Sequence, residues 1–248
     1  SAGSYPSFGR PGENWSPYGT TKACVNGAPG EAGRMFTVNW LNLQRDPRMK
    51  IRYLRHEEID RQQWDECLRQ SPGRKIYAFS WYLDIVCPGW DALADEDYSH
   101  IFPLTHRSKM GLRYLFQPWF TQQLGLFSSG NTGRDELGQF LARAGRRFRY
   151  CDIHLNDGNT LPVEGWTLIP RKNHELDLSQ GYERIATGYS QNTRRNLKKA
   201  AVSGVAMGPP PAYGELVRLF RENFGAREGK LGDREYDMML SLMEALDA

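Results

Sequence analysis

The apolar positions change period several times along the chain. From Lys50 to Leu54 (KIRYL) they alternate, which predicts a strand. Ile59, Trp64, Cys67 and Leu68 recur at near-helical spacing, so Ile59–Gln70 is expected as a helix that Pro72-Gly73 ends. Ser80–Val86 (SWYLDIV) reads as a short apolar helix. Trp90–Ala94, Tyr98–His106, Leu112–Gln117 and Gln122–Phe127 read as strands between turn residues, and their close spacing predicts an antiparallel meander. Pro103 falls inside the second of these, which needs an edge, a bulge or a bend there. Asp135–Phe148 is amphipathic, with Leu137, Phe140, Leu141 and Ala144 inward. Tyr150–Leu155, Thr167–Pro170, His174–Leu178 and a short Val205–Met207 are further expected strands. Tyr182–Gly188, Tyr213–Phe224 and Asp233–Leu246 are expected helices. The last carries a stripe of Tyr236, Met239, Leu240, Met243 and Leu246.

Residues 1–48 follow neither period until MFTVNWLNL at 35–43, and Ser, Gly, Pro, Asn and Thr dominate them. They are expected to be a disordered or non-native extension, with Met49 as the natural start.

The stretch Tyr189–Val205 (YSQNTRRNLKKAAVSGV) predicts one more helix, with Asn192 as N-cap and Gly204 as stop. Arg194, Arg195, Lys198 and Lys199 then share an arc of about 140°. Leu197, Ala200, Ala201 and Gly204 fall opposite. No acid occurs between Glu183 and Glu215 to neutralise the basic face. It is either a solvated charged face or a face for an anion.

Composition narrows the classes. The chain has 248 residues, 40% hydrophobic, which leaves room for a sizeable core. A net charge of only +3 does not demand non-specific nucleic-acid binding. Cys24, Cys67, Cys87 and Cys151 are scattered without a CxxC pair, which fits free thiols and offers no metal-ligand spacing. No run of about 18 apolar residues occurs, so no membrane span is expected, and a cytoplasmic location is the default.

Phe116–Ser128 (FQPWFTQQLGLFS) sets Gln117, Thr121, Gln122 and Gln123 beside Trp119 and Phe120, with Pro118 bending the chain. Such a bend can hold a polar ligand by stacking and hydrogen bonds, or it can be a hydrophobic corner with exposed amides. His100, His106, His154 and His174 are single residues on expected strands and read as satisfied core or edge histidines. No GxSxG, GxxxxGK[ST] or GxGxxG motif occurs.

Three segments, Ser80–Leu93, Phe116–Ser128 and His174–Val205, in this order along residues 49–248, resemble the FemAB-like branch of the GNAT (acyl-CoA N-acyltransferase) superfamily. The resemblance implies a mixed α/β fold of two GNAT-like halves, each a twisted mixed sheet flanked by helices. Residues 49–178 would be the first half, and 179–248 the leading helices of a second, truncated half. It also implies transfer of an acyl or aminoacyl group to an amine, from acyl-CoA or aminoacyl-tRNA, onto a small-molecule or cell-wall-precursor acceptor. The chain lacks a Q/RxxGxG/A-type pyrophosphate loop, so no donor site is expected within it, and it is expected to be inactive alone. Gln117, Trp119, Phe120, Gln122, Tyr189, Arg194, Arg195 and Lys198 are the candidate substrate-binding residues, and no catalytic residue or metal ligand is assigned. The alternative is a non-catalytic module that binds a phosphate-bearing ligand or a tRNA through helix 189–205.

Overall fold

The computed structural model describes residues 49–130, 134–159, 163–204, 206, 208–225 and 231–247, together with the backbone of Thr21–Val25. The chain has a mixed α/β fold and divides into two compact units, Ser1–Asn173 and His174–Ala248.

The first unit holds two sheets. Strands β2 (Arg52–Leu54), β3 (Asp91–Ala94), β4 (His100–Leu104) and β7 (Phe127–Ser128) form an antiparallel sheet in that order. The other sheet is mixed and runs β5 (His106–Lys109), β6 (Leu112–Leu115), β8 (Tyr150–Leu155), β1 (Thr21–Val25), β9 (Trp166–Ile169). β1 therefore takes a central place, between β8 and β9, although its surroundings in sequence read as irregular.

The expected meander is replaced by a change of sheet at Thr105. Its buried side chain donates from Oγ1 to the Phe116 carbonyl at 2.6 Å, and its own carbonyl accepts from Phe116 N–H at 3.0 Å. The chain passes there from β4 into the β5–β6 hairpin, and β6 then runs parallel to β8. Pro103 sits where an imino acid costs nothing. It pairs with Ala92 of β3, while β7 reaches only His100 and Ile101 on the other side of β4.

Helix α3 (Arg134–Gly145) fills the core with Leu137, Phe140 and Leu141, against Phe102 and Leu104 of β4, Leu115 of β6, and Cys151, Ile153 and Leu155 of β8. Helix α1 (Arg61–Gln70) packs against β4 and β7 and touches α2 (Ser80–Val86). Asp60 caps α1 by accepting from Gln62 N–H and Gln63 N–H, both at 3.0 Å. Trp64 of α1 is fully buried against Trp90, with ring centroids 4.8 Å apart, and its indole N–H donates to the Ala78 carbonyl at 2.8 Å.

The second unit is helical: α4 (Tyr182–Thr187), α5 (Gln191–Val202), α6 (Tyr213–Phe220) and α7 (Asp233–Asp247). His174–Leu178 is not a strand. Asp177 instead accepts from Ser179 N–H at 2.9 Å and opens a short 3-10 turn, a local side-chain bond that competes with extended pairing. Val205–Met207 lies largely outside the described residues. α5 starts earlier than expected: Ser190 is its N-cap, with Oγ accepting from Thr193 N–H at 3.1 Å. α7 buries Tyr236, Met238 and Leu242, whereas Met239 and Met243 are half-buried and Leu246 is exposed. Among the described residues α7 packs on α6, and Arg221 lies over the Tyr236 ring with Cζ 4.9 Å from its centroid.

Candidate functional site

Among the described residues of the first unit, two concavities lie at opposite ends of the parallel strands β6 and β8. The first forms where the parallel run comes apart. Leu124 bridges Leu155 in parallel fashion, its N–H donating to the His154 carbonyl and its carbonyl accepting from Asn156 N–H, both at 2.7 Å. Beyond that point the two backbones no longer pair. The carboxamides of Asn156 and Asn159, each 2% exposed, take over the hydrogen bonds. Asn159 Oδ1 accepts from Leu126 N–H at 2.7 Å. Asn159 Nδ2 and Asn156 Nδ2 donate to the Leu126 carbonyl at 3.1 and 2.9 Å. An N–H and a C=O on one residue fix which end of each amide is which. Gly125, at φ +107°, makes room: a Cβ there would run into Asn159 Oδ1 and would meet Leu155 Cδ2 at 3.0 Å.

The resulting crevice, about 140 Å³, is lined by Ser71, Gly73, Phe127, Ser128, Asn156 and Asn159 among others. It lies at the carboxyl end of β8, the end at which open α/β sheets bind ligands. Its lining has hydroxyl and amide groups but no titratable side chain.

The second concavity lies at the amino ends of β6 and β8 and is organised by Asp91. Register puts the partners together. Tyr53 pairs with Leu93, so Asp91, two residues earlier, is its diagonal neighbour on one face. His106 pairs with Leu115, so Arg113 is its diagonal neighbour in the same way. Asp91 accepts from the Tyr53 hydroxyl, from Arg113 Nη2 at 2.7 Å, from His106 Nε2 at 2.9 Å and from His56 N–H at 3.2 Å. Arg113 Nη2 is also 2.9 Å from His106 Nε2. One ring nitrogen cannot donate and accept at once, and with a carboxylate at the same distance Nε2–H serves Asp91. Burial pushes the Asp91 carboxyl up, but the bonds from His106, Tyr53 and Arg113 outweigh it and hold the group well below the usual carboxylate range. Burial and the facing carboxylate raise the Tyr53 phenol, which keeps it a donor.

Around this centre Arg147 lies over the Tyr53 ring, Cζ 3.7 Å from the centroid, and Arg113 over Phe148 at 5.3 Å. His56 is engaged at both nitrogens: Nδ1–H donates to the Trp90 carbonyl at 3.1 Å and Nε2 accepts from Arg61 Nη2 at 3.0 Å. The cavity holds about 380 Å³.

The candidate residues read from sequence fall in both units. In the bend, the Gln117 carboxamide is spent internally: Oε1 accepts from His154 N–H at 2.9 Å and Nε2 donates to the Thr121 carbonyl at 2.8 Å. Phe120 has φ +62°, and its carbonyl accepts from the Tyr82 hydroxyl at 2.6 Å. Gln122 Oε1 accepts from the Tyr77 hydroxyl at 3.3 Å. Trp119 is exposed. Gln123 is buried with Oε1 lacking a hydrogen-bond partner among the described residues, an acceptor that a water or ligand N–H would satisfy. In the second unit, Tyr189 packs edge-on to Tyr182 at 6.3 Å. Arg194 donates to the Thr187 carbonyl at 2.6 Å and Arg195 to Asn192 Oδ1 at 2.8 Å. No basic side chain of α5 meets an acid among the described residues, and no residue of the helix is buried.

Sequence reading missed both concavities. Asn156 and Asn159 carried a faint signal, as amides directly after an apolar strand. The Asp91 partners, scattered from residue 53 to residue 113, carried none, because only the fold unites them.

Other clusters are structural. His100 Nδ1 and Ser99 Oγ both bond the same Asp95 oxygen, at 2.8 and 2.6 Å; Ser99 Oγ is also 3.0 Å from Nδ1, but with Nδ1–H serving Asp95 that nitrogen cannot take the serine's proton. Cys67, Cys87 and Cys151 are buried, and burial pushes the Cys67 thiol up to about 12, which removes it as a nucleophile. Among the described residues no group of His, Cys, Asp and Glu could hold a metal ion, and no helix is long and apolar enough to cross a membrane. Comparison with protein-family models, with curated proteins and with solved structures finds no match.

Proposed function

We propose that the chain is part of a FemAB-like N-acyltransferase that moves an acyl or aminoacyl group onto an amine, with the asparagine-lined crevice as the seat of the acyl end. The observation that carries this reading is the parting of two parallel segments at Leu124 and Leu155, with the opening held by Asn156 and Asn159. About 140 Å³ suits a short acyl or aminoacyl group and is too small for a nucleotide. Hydroxyl and amide groups can orient a carbonyl there, while the amine must lose its proton to a group outside the lining. Two segments of the family resemblance also meet in this unit, through the hydrogen bond from Tyr82 to the Phe120 carbonyl.

The test is incubation of the full-length enzyme, of which this chain is proposed to be part, with acetyl-CoA or aminoacyl-tRNA and a panel of amines, with mass spectrometry of the products. An N-acylated amine is expected, with the yield cut by Ser128→Val, which fills the crevice. Product formation that Ser128→Val leaves intact would remove the crevice from the reaction.

The exposed cations of α5 favour a second reading, a module that grips a phosphate-bearing ligand or tRNA. Absence of any product, combined with tRNA binding that Arg194→Gln and Lys198→Gln weaken, would select it.

A further inference from the structure

The Asp91 cavity has a charge that its own residues do not use up. Its lining carries Arg55, Arg113 and Arg147 against Glu57 and Asp91. Asp91 is saturated by four donors, and Arg113 is committed to it. His56 is engaged at both ring nitrogens. Arg55 and Arg147 remain: neither guanidinium forms an ion pair among the described residues, although the Arg55 backbone N–H donates to Glu58 Oε2 at 2.8 Å. Arg147 Cζ sits 3.7 Å from the Tyr53 ring centroid, and a guanidinium held over an aromatic face can keep N–H groups for a ligand. The support under it is rigid, since the Tyr53 hydroxyl is pinned to Asp91. Two guanidinium groups on one open cavity of about 380 Å³ match the planar, bidentate recognition of an oxyanion.

We infer that this cavity binds a small oxyanion, a carboxylate or a phosphate, between Arg147 and Arg55, with Asp91 acting as the internal counter-charge that orients Tyr53 and Arg113. The site is at the amino ends of β6 and β8, and it stands apart from the acyl-transfer reading of the crevice at their carboxyl ends. Asp91 and Glu57 together offset two of the three arginines, so among the arginines and carboxylates of the lining a net single positive charge remains for the ligand.

The experiment is isothermal titration of the full chain at low salt with inorganic phosphate and, separately, with succinate. Saturable one-site binding of at least one of them is expected, and which one binds distinguishes the phosphate from the carboxylate source. Arg147→Gln and Arg55→Gln should each weaken it roughly tenfold or more, the scale of a lost charge-assisted hydrogen bond. Arg195→Gln on α5 should leave it unchanged. Both cavity arginines are exposed, and Arg55 lies in a turn, so at least that variant keeps its fold, as checked by circular dichroism. No saturable binding of either anion overturns the proposal. So does binding that survives both cavity variants, or that falls with Arg195→Gln instead.

Discussion

Asp91 is a buried carboxylate surrounded by donors, and such a group reports on pH. Its folded pKa is depressed, so the folded state holds the proton less tightly than the unfolded chain does. The stabilisation is complete above the ordinary carboxylate pKa of ~3.9 and is lost as pH falls below it towards the folded value. Asp91→Asn strands the charge of Arg113 and should cost about 3 kcal/mol at neutral pH. Urea titrations at pH 7 and pH 3 would measure it. The wild-type and variant curves should converge as the pH drops, and a constant gap would show that the carboxylate's charge is not what matters. Tyr53→Phe offers a milder probe. It removes one donor to Asp91 but keeps the ring under Arg147, so it should cost about 1 kcal/mol and leave anion binding largely intact.

At the scale of elements, the carboxamide bridge makes a backbone demand. Gly125 has a conformation that side chains rarely adopt, and its missing Cβ is what lets Asn159 reach Leu126. Gly125→Ala should therefore destabilise by about 2 kcal/mol or more in urea melts, well beyond the usual effect of a glycine replacement in a loop. Periodicity made most of these elements legible. The alternation of YCDIHL and the inward set Leu137, Phe140 and Leu141 appear as β8 and α3 where the pattern places them. It failed where tertiary partners decide. Nothing local marks Thr105 as the crossing between sheets, and the apolar look of His174–Leu178 gave way to an Asp177 turn in the absence of a strand to pair with. Thr21–Val25 joins a sheet because β8 and β9 flank it, a condition that no window of sequence contains. The candidate site suffered in the same way. Side chains that a bend brings close in sequence, such as Gln117, are consumed by the fold, while those brought close by register were invisible.

At the scale of the whole molecule, the two units differ in how much they bury. Among the described residues of the second unit only Tyr236, Met238 and Leu242 are buried hydrophobics, whereas the first unit contains a continuous core from Leu93 to Leu155. All seven tryptophans precede residue 174. Tryptophan fluorescence thus follows the first unit alone, while far-ultraviolet circular dichroism also sees the helices of the second. In urea, the dichroism should begin to fall at a lower concentration than the fluorescence, by about 1 M. Coincident transitions would mean that the units unfold as one.

The Leu126 amide proton is held by a side chain, Asn159 Oδ1, rather than by a neighbouring strand. Its exchange with deuterium therefore needs only a carboxamide to swing away, not a ladder to unzip. A molecule entering the crevice that draws Asn159 towards itself would speed up that one exchange rate, and one that locks the amide would slow it. Leu126 thus gives the crevice a built-in isotopic reporter, readable without knowing what the occupant is.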